Sequence, residues 1–302
     1  MASPAFAQLV ETIRTERDSQ PTEIGDLRAQ MEAVAELIPL PKGLRIESID
    51  AGGFRADRLT LSDREGDGVL IYLHGGAYVL GSPSTHRALA ARIGDATGLP
   101  AFVPDYRLAP EHPFPAAVDD AVAAYRWLIA NGTAPNRIVI AGDSAGGGLT
   151  AATLLALRDA GDPMPCAAVM ISPWTDLAAT GESLTTRQNA DPMIYSHKIS
   201  ESAELYLGDA DATTPLASPL YGDMAGLPPT LIHVGTAEVL FDDSTRMAAR
   251  LEAAGVDVSL EVYDEMIHVW HYFAGMLPEA DEAIEAIGRF VRARVPSGAV
   301  RK

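Results

Sequence analysis

The sequence predicts an α/β fold, a mainly parallel, doubly wound sheet with helices on both faces. From about residue 68 onward, apolar runs of strand length alternate with longer segments of helical spacing. Runs such as "GVLIYLH", "RIVIAG" and "AAVMIS" are apolar throughout rather than alternating, as strands covered on both faces are. At 302 residues, 47% hydrophobic and 21% charged, the chain is also long enough to bury roughly 75% of its unfolded surface around a large core.

Residues 1–40 read as helical, with apolar positions recurring in "AQLVETIRT" and "LRAQMEAVAELI" until Pro41 interrupts. They precede the main unit, residues 41–302. "LRIESI" and "FRADRLTL" alternate as half-buried strands, and "GVLIYLH" follows as a buried central one. Four strand–helix units come next: "AFVPDY" with "AVDDAVAAYRWLIANG", "RIVIAG" with "AGGGLTAATLLALRDAG", "TLIHVG" with "DDSTRMAARLEAAG", and "VSLEVY" with "EADEAIEAIGRFVRARV". Between the second and third lies "AAVMIS" and then about fifty irregular residues, far more than the roughly 2–6 of a simple αβ loop. This stretch, about 175–228, holds helical "ISESAELYLG" and several proline turns. It reads as an insertion that covers, with the N-terminal helices, the sheet edge where α/β folds bind ligands.

Charge and cysteine content narrow the function. The net charge of −18 comes from 41 acidic against 23 basic residues, with only three lysines, Lys42, Lys198 and Lys302. Such a field repels phosphate backbones and anionic membranes, so neither nucleic acid nor membrane is expected as a partner. Cys166 is the single cysteine, which excludes an internal disulfide or a cysteine metal cluster, and it is expected in the core. His86, His112, His197 and His233 have no metal-ligand spacing and no H-E-x-x-H occurs, so no metal and no other cofactor is expected. With no basic leader and no apolar run of roughly 18 residues, a cytoplasmic location is expected.

The chemistry concentrates in glycine-rich corners. Gly142-Asp143-Ser144-Ala145-Gly146 fits G-x-S-x-G between a strand and a helix, a turn that lifts a serine onto a strained corner among small neighbours. Its bend sets the Ala145 N–H at a helix start, where it can meet an oxyanion. "LHGGAY" follows the central strand as an HGGG-type loop with Ala77 in place of the third glycine. Gly76 and Ala77 are read as further oxyanion donors, with Gly75 shaping the turn and His74 holding it. Asp105 and Arg107 are expected to pair with each other beside the site.

"HGGAYVLGS", "DYRLAPEHPFPAAVDD", "GDSAGGGL" and "IHVWH", in that order, resemble the hormone-sensitive-lipase-like α/β-hydrolases, the bacterial family IV carboxylesterases. The resemblance runs from about residue 70 to the end, and "TAEVLFDDS" is similar to the esterases related to monoterpene ε-lactone hydrolases. It implies an eight-stranded α/β-hydrolase fold, a helical cap and ester hydrolysis without a cofactor. The triad order in that fold is Ser, Asp or Glu, His. In the family pattern a small residue and an aromatic follow the histidine, which selects His268 over His271, with Val269 in place of the usual glycine. The usual aspartate two residues before the leucine of the family pattern is here Glu238. Asp242 and Asp243 are rivals better placed to cap the next helix.

The reading is a serine carboxylesterase of short- to medium-chain esters, or lactones, acting through an acyl-enzyme. Ser144, His268 and Glu238 are its triad and Gly75, Gly76, Ala77 and Ala145 its oxyanion hole. Tyr78, Trp174, Met193, Tyr195 and Tyr206 are candidates for the acyl pocket. The expected partner is a small ester, and a homodimer is left open. The competing readings are a lyase or amidase on the same scaffold and a non-catalytic small-molecule-binding relative, against which the intact His268 speaks.

Overall fold

The computed structural model describes residues 2–19, 21–61 and 68–296. Its strands are β1 (Arg45–Asp50), β2 (Arg55–Thr60), β3 (Val69–Leu73), β4 (Ala101–Pro104), β5 (Ile138–Asp143), β6 (Ala167–Ile171), β7 (Thr230–Ala237) and β8 (Val258–Ile267). Its helices are α1 (Pro4–Glu16), α2 (Ile24–Leu37), α3 (Arg87–Thr97), α4 (Ala116–Ala130), α5 (Ala145–Ala160), α6 (Ser183–Thr186), α7 (Ser196–Leu207), α8 (Phe241–Ala253) and α9 (Pro278–Arg292). The strands form one eight-stranded sheet in the order β1-β2-β4-β3-β5-β6-β7-β8. β2 runs antiparallel to both β1 and β4, and every later pairing is parallel.

The apolar runs sort by the two-residue period of a pleated strand. Leu70, Tyr72, Val139, Ala141, Val169 and Ile171 face a core built with α3 and α9. Ile71, Leu73, Ile138, Ile140, Ala168 and Met170 face the opposite core, which α4, α5, α7 and α8 complete. β1 departs from the expected half-buried pattern: it pairs with β2 alone at the sheet margin, and most of its residues are exposed. β8 is longer than "VSLEVY" suggested. It continues through Ile267 and so delivers His268 at its end.

The N-terminal arm and the insertion meet. α1 is anchored by Phe6, which packs into the α3–α9 core, and the Arg17 Nη1 after it donates to the Asp191 carbonyl of the insertion at 2.7 Å. Among the described residues no helix is long and apolar enough to cross a membrane.

Three local expectations are corrected. Asp242 and Asp243 are not caps: α8 begins at Phe241, so both lie inside its first turn. Asp242 Oδ2 accepts from Ser183 N at 2.9 Å, and Asp243 Oδ2 accepts from Thr175 N at 2.7 Å and Asp176 N at 2.8 Å. Irregular backbone buried in the insertion needs acceptors from outside itself, since an orphaned N–H costs about 1–3 kcal/mol. Asp105 and Arg107 do not pair: Asp105 takes Arg55 of β2 at 2.7 Å, and Arg107 takes Asp120 of α4 at 2.7 Å. Cys166 is only half-buried, one residue before β6, with burial pushing its thiol up to about 11.

Burial raises the Asp243 carboxyl to about 7, against the two backbone N–H groups that favour its charge. An unfolded aspartate ionises near 3.9, so between roughly pH 4 and pH 7 the folded chain holds a proton that the unfolded chain has lost, and stability falls as pH rises. Asp243→Asn cannot ionise. Its melting temperature is expected to drop less than the parent's between about pH 5 and about pH 8, measured by circular dichroism.

Candidate active site

Ser144 stands at the corner where β5 passes into α5, with φ 53° and ψ −120°. The corner closes because its neighbours have no side chain: a Cβ on Gly146 would collide with the carbonyl oxygens of Leu73 and His74. Ser144 N donates to Ile171 O at 2.8 Å, and Ser144 O accepts from Gly148 N at 3.0 Å and Trp174 N at 2.9 Å. With its backbone pinned on both sides, the residue presents its hydroxyl. Ala145 opens a 16-residue helix, and its N–H belongs to the first turn, whose donors lack intrahelical acceptors.

The loop His74–Tyr78 lies beside this corner. Gly76, Ala77 and Tyr78 have φ of 118°, 54° and 63°, three left-handed residues in succession that rotate the peptide groups of the turn. Asp143 joins the loop to the corner. Its Oδ1 accepts from Gly75 N at 3.1 Å and from the Tyr72 hydroxyl at 2.7 Å, and its Oδ2 lies 3.4 Å from His86 Nε2. A Cβ on Gly75 would strike this carboxylate, which explains the glycine. Burial opposes charge on Asp143, but His86 and the Tyr72 hydroxyl outweigh it and hold the carboxyl below its usual range. His74 Nδ1 lies 2.8 Å from Gly75 O, and its ring stacks on Tyr106 at 4.2 Å. Burial lowers His74 to about 3, so it stays neutral and packs in the loop as expected. From outside, Arg28 of α2 donates through Nε to Val79 O at 2.8 Å and through Nη2 to Ala109 O at 2.9 Å.

The buried Glu238–His268 pair lies at the ends of β7 and β8. His268 Nδ1 is 2.7 Å from Glu238 Oε2, and Glu238 is fully buried. The other oxygen, Oε1, accepts from Gly235 N at 2.6 Å and from the Ser172 hydroxyl at 2.9 Å. Ser172 Oγ in turn accepts from Val269 N at 3.2 Å. Burial works against charge on His268, but the Glu238 hydrogen bond and charge, with Asp191 and Asp143 further out, raise its pKa above the ordinary imidazole value. Nδ1 is committed to Glu238, which leaves Nε2 as the remaining ring nitrogen.

Ser172 is a functional residue that sequence reasoning missed. It follows Ile171, whose carbonyl holds Ser144 N, and its own side chain contacts both the acid and the histidine loop. The available signal was the serine closing "AAVMIS", a polar residue directly after an apolar strand. His271 is engaged elsewhere. It is buried with Nε2 3.0 Å from His233 Nδ1, and burial drives it well below 6.5. Of the predicted pocket residues, Tyr78, Trp174 and Tyr206 form one buried cluster, with Tyr78 stacked on Tyr206 at 3.8 Å and tilted against Trp174 at 5.9 Å. Met193 and Tyr195 sit apart on the insertion, Met193 being 38% exposed and Tyr195 lying beneath the Arg17 guanidinium at 3.9 Å.

Residues 70–272 match the family model described as alpha/beta hydrolase fold. The chain belongs to the α/β-hydrolase family. Within it, this hydrolase falls in the hormone-sensitive-lipase-like, family IV branch. It is 44% identical over 301 residues to an acetyl-hydrolase of Streptomyces hygroscopicus, covering 99% of each chain. It superimposes with a TM-score of 0.95 on a crystal structure of an esterase from the bacterial hormone-sensitive lipase family, 46% identical, covering 98% of this hydrolase and 100% of that chain. A crystal structure of EstE5 soaked with p-nitrophenyl butyrate superimposes with a TM-score of 0.93 at 44% identity, covering 97% of this hydrolase and 99% of that chain.

Two outcomes are expected for this hydrolase. Glu238→Gln keeps the fold but lowers kcat by roughly 10³- to 10⁴-fold, because the amide does not support the imidazolium and favours the wrong tautomer. The base must be neutral to accept a proton, and its pKa is raised, so activity is lost as pH falls through the raised value. The acid limb of kcat/KM in the parent is expected to turn above the ordinary imidazole value of about 6.5, read from a pH–rate profile.

Proposed function

We propose that this protein hydrolyses carboxylic esters through an acyl-enzyme formed on Ser144. The chain is a carboxylic ester hydrolase, and the 2.7 Å bond between Glu238 and His268 is the observation that carries the mechanism. His268 Nε2 removes the Ser144 proton as Oγ attacks the ester carbonyl. The negative oxygen of the tetrahedral intermediate faces the N–H groups of Gly76, Ala77 and Ala145, donors already fixed by the backbone before substrate arrives. Collapse breaks the bond to the alkoxy group, which leaves with the proton from His268 as the alcohol. Water, deprotonated by the same nitrogen, then releases the acid and restores Ser144.

The N-terminal arm and the insertion form the cap in this reading. Arg17 joins them, and the Tyr78–Trp174–Tyr206 cluster, with the Trp174 N–H held by Ser144 O, lies directly beside the nucleophile as a wall for a compact acyl group. Short and medium acyl chains, lactones among them, are the substrates this reading selects.

Incubation with an aryl-ester organophosphonate is expected to add one equivalent to Ser144, detected by peptide mass spectrometry. Ser144→Ala is expected to lower kcat on p-nitrophenyl butyrate by about 10⁶-fold. Label on another residue, or turnover of the matching amide at a comparable rate, overturns the reading. Activation on emulsified long-chain triglyceride overturns its acyl-size part.

A further inference from the structure

We infer that Asp191 is a positioning residue of the triad, a second buried carboxylate through which the insertion and the N-terminal arm hold the Glu238 loop beside His268. The inference rests on the triad reading above and extends it to a residue that contacts neither substrate nor the reacting atoms.

The geometry is particular. Asp191 is fully buried, and its two carboxylate oxygens serve different segments. Oδ1 accepts from Met193 N at 2.8 Å and Ile194 N at 2.9 Å, closing the turn of the insertion. Oδ2 reaches across to accept from Val239 N at 2.9 Å, the residue directly after Glu238. The Asp191 carbonyl accepts from Arg17 of the N-terminal arm at 2.7 Å, and the same guanidinium lies over the Tyr195 ring. One residue therefore ties the arm, the insertion and the acid loop together. Two neighbours on the insertion reinforce the tie: Ser183 Oγ donates to Val239 O at 2.6 Å, and Arg187 donates to the Thr236 carbonyl while stacking on Phe241.

A buried carboxylate is costly unless it is partnered, so such a residue is a poor choice for closing a turn alone. Its position supplies a second use. Three carboxylates favour the imidazolium form of His268: Glu238 at the β7 end, Asp143 at the β5 end and Asp191 of the insertion. Glu238 acts by contact. Asp191 acts through space and by fixing the backbone that aims Glu238. Burial raises the Asp191 carboxyl, against the His268 charge and the three N–H groups that favour its ionised form.

The test compares pH profiles of kcat and kcat/KM on p-nitrophenyl butyrate for the parent, Asp191→Asn and Asp191→Glu, with circular dichroism as the check on folding. The amide keeps an oxygen for Met193 and Ile194 but turns an N–H group toward Val239 N–H and removes the charge. Asp191→Asn is expected to lower kcat roughly tenfold or more, as small misplacements of a catalytic group do. It is also expected to move the acid limb down by about half a pH unit or more, as loss of a neighbouring negative charge requires. Asp191→Glu restores the charge and is expected to bring the limb back to the parent position even where kcat stays low. If the Asn variant does not fold, Asp191→Ser gives the same comparison, since its hydroxyl still accepts from the turn N–H groups while carrying no charge. A folded, uncharged variant whose acid limb coincides with the parent's overturns the inference. A parent that does not hydrolyse the ester, or a fully active Ser144→Ala, overturns the triad reading instead.

Discussion

Glu238 is a carboxylate without solvent, and the effective cost of burying such an ion is several kcal/mol unless its lone pairs are met. The chain meets them from three directions: Gly235 N from its own strand end, the Ser172 hydroxyl from the end of β6, and His268 from the end of β8. Satisfying one charge therefore requires three adjacent parallel strands to end in register. The β7–β8 register shift between Gly235 and Ala237 falls at this place, where the Gly235 N–H turns to the carboxylate. The sheet builds a core on both faces, and the geometry of its strand ends is what that buried charge demands.

A second buried carboxylate does the corresponding work on the other side of Ser144. Asp143 binds Gly75 N, Tyr72 and His86, and so fixes the His74–Tyr78 loop to the residue preceding Ser144. The two halves of the site are thus organised separately, Glu238 holding the His268 side and Asp143 the side of the His74–Tyr78 loop. Ser144 joins them through its backbone, with N to Ile171 O and O to Trp174 N. Because hydrogen bonds to a charged acceptor are roughly twice as strong as neutral ones, both carboxylates stiffen the groups they hold. Preorganisation of this kind lets donors stabilise developing charge without reorienting during the reaction.

The parts of this structure that were legible in the sequence are those with a local signature. Continuous apolar runs marked β3, β5 and β6, and each proved buried on both faces. The G-D-S-A-G corner and the H-G-G-A-Y loop were visible because backbone strain and close approach restrict residue type within five positions. The pairing of Glu238 with His268 was legible only through the family resemblance together with strand order and loop position. Ser172 and Asp191 were not legible, since their partners lie 66, 97 and 48 residues away and polar pairing across folded segments has no period. The same gap produced the wrong partners for Asp105, Arg107, Asp242 and Asp243. Each acidic side chain was assigned to its nearest sequence neighbour, whereas in the fold it went to whichever buried or adjacent donor lacked an acceptor.

Strain completes the account. Among the described residues, seven other than glycine have positive φ, and five of them are Ala77, Tyr78, Ser144, Ser172 and Val269. A left-handed conformation costs about 1–2 kcal/mol for an ordinary residue and more for a β-branched one such as Val269. Strain is stable only where the surroundings over-determine it, and each of these residues is held that way. Val269 N is bonded to Ser172, Ser172 N to His233 O, Ser144 N to Ile171 O, and Tyr78 O to Ala109 N. Ala77 lies between Gly76 and Tyr78 inside a turn whose Gly76 carbonyl accepts from both Val79 N and Leu80 N. This also explains how alanine serves where the loop pattern has glycine: the φ of 54° that glycine would adopt freely is imposed on Ala77 by the turn around it. The hydrogen bonds that hold the site together are the ones that keep its backbone in conformations it would otherwise leave.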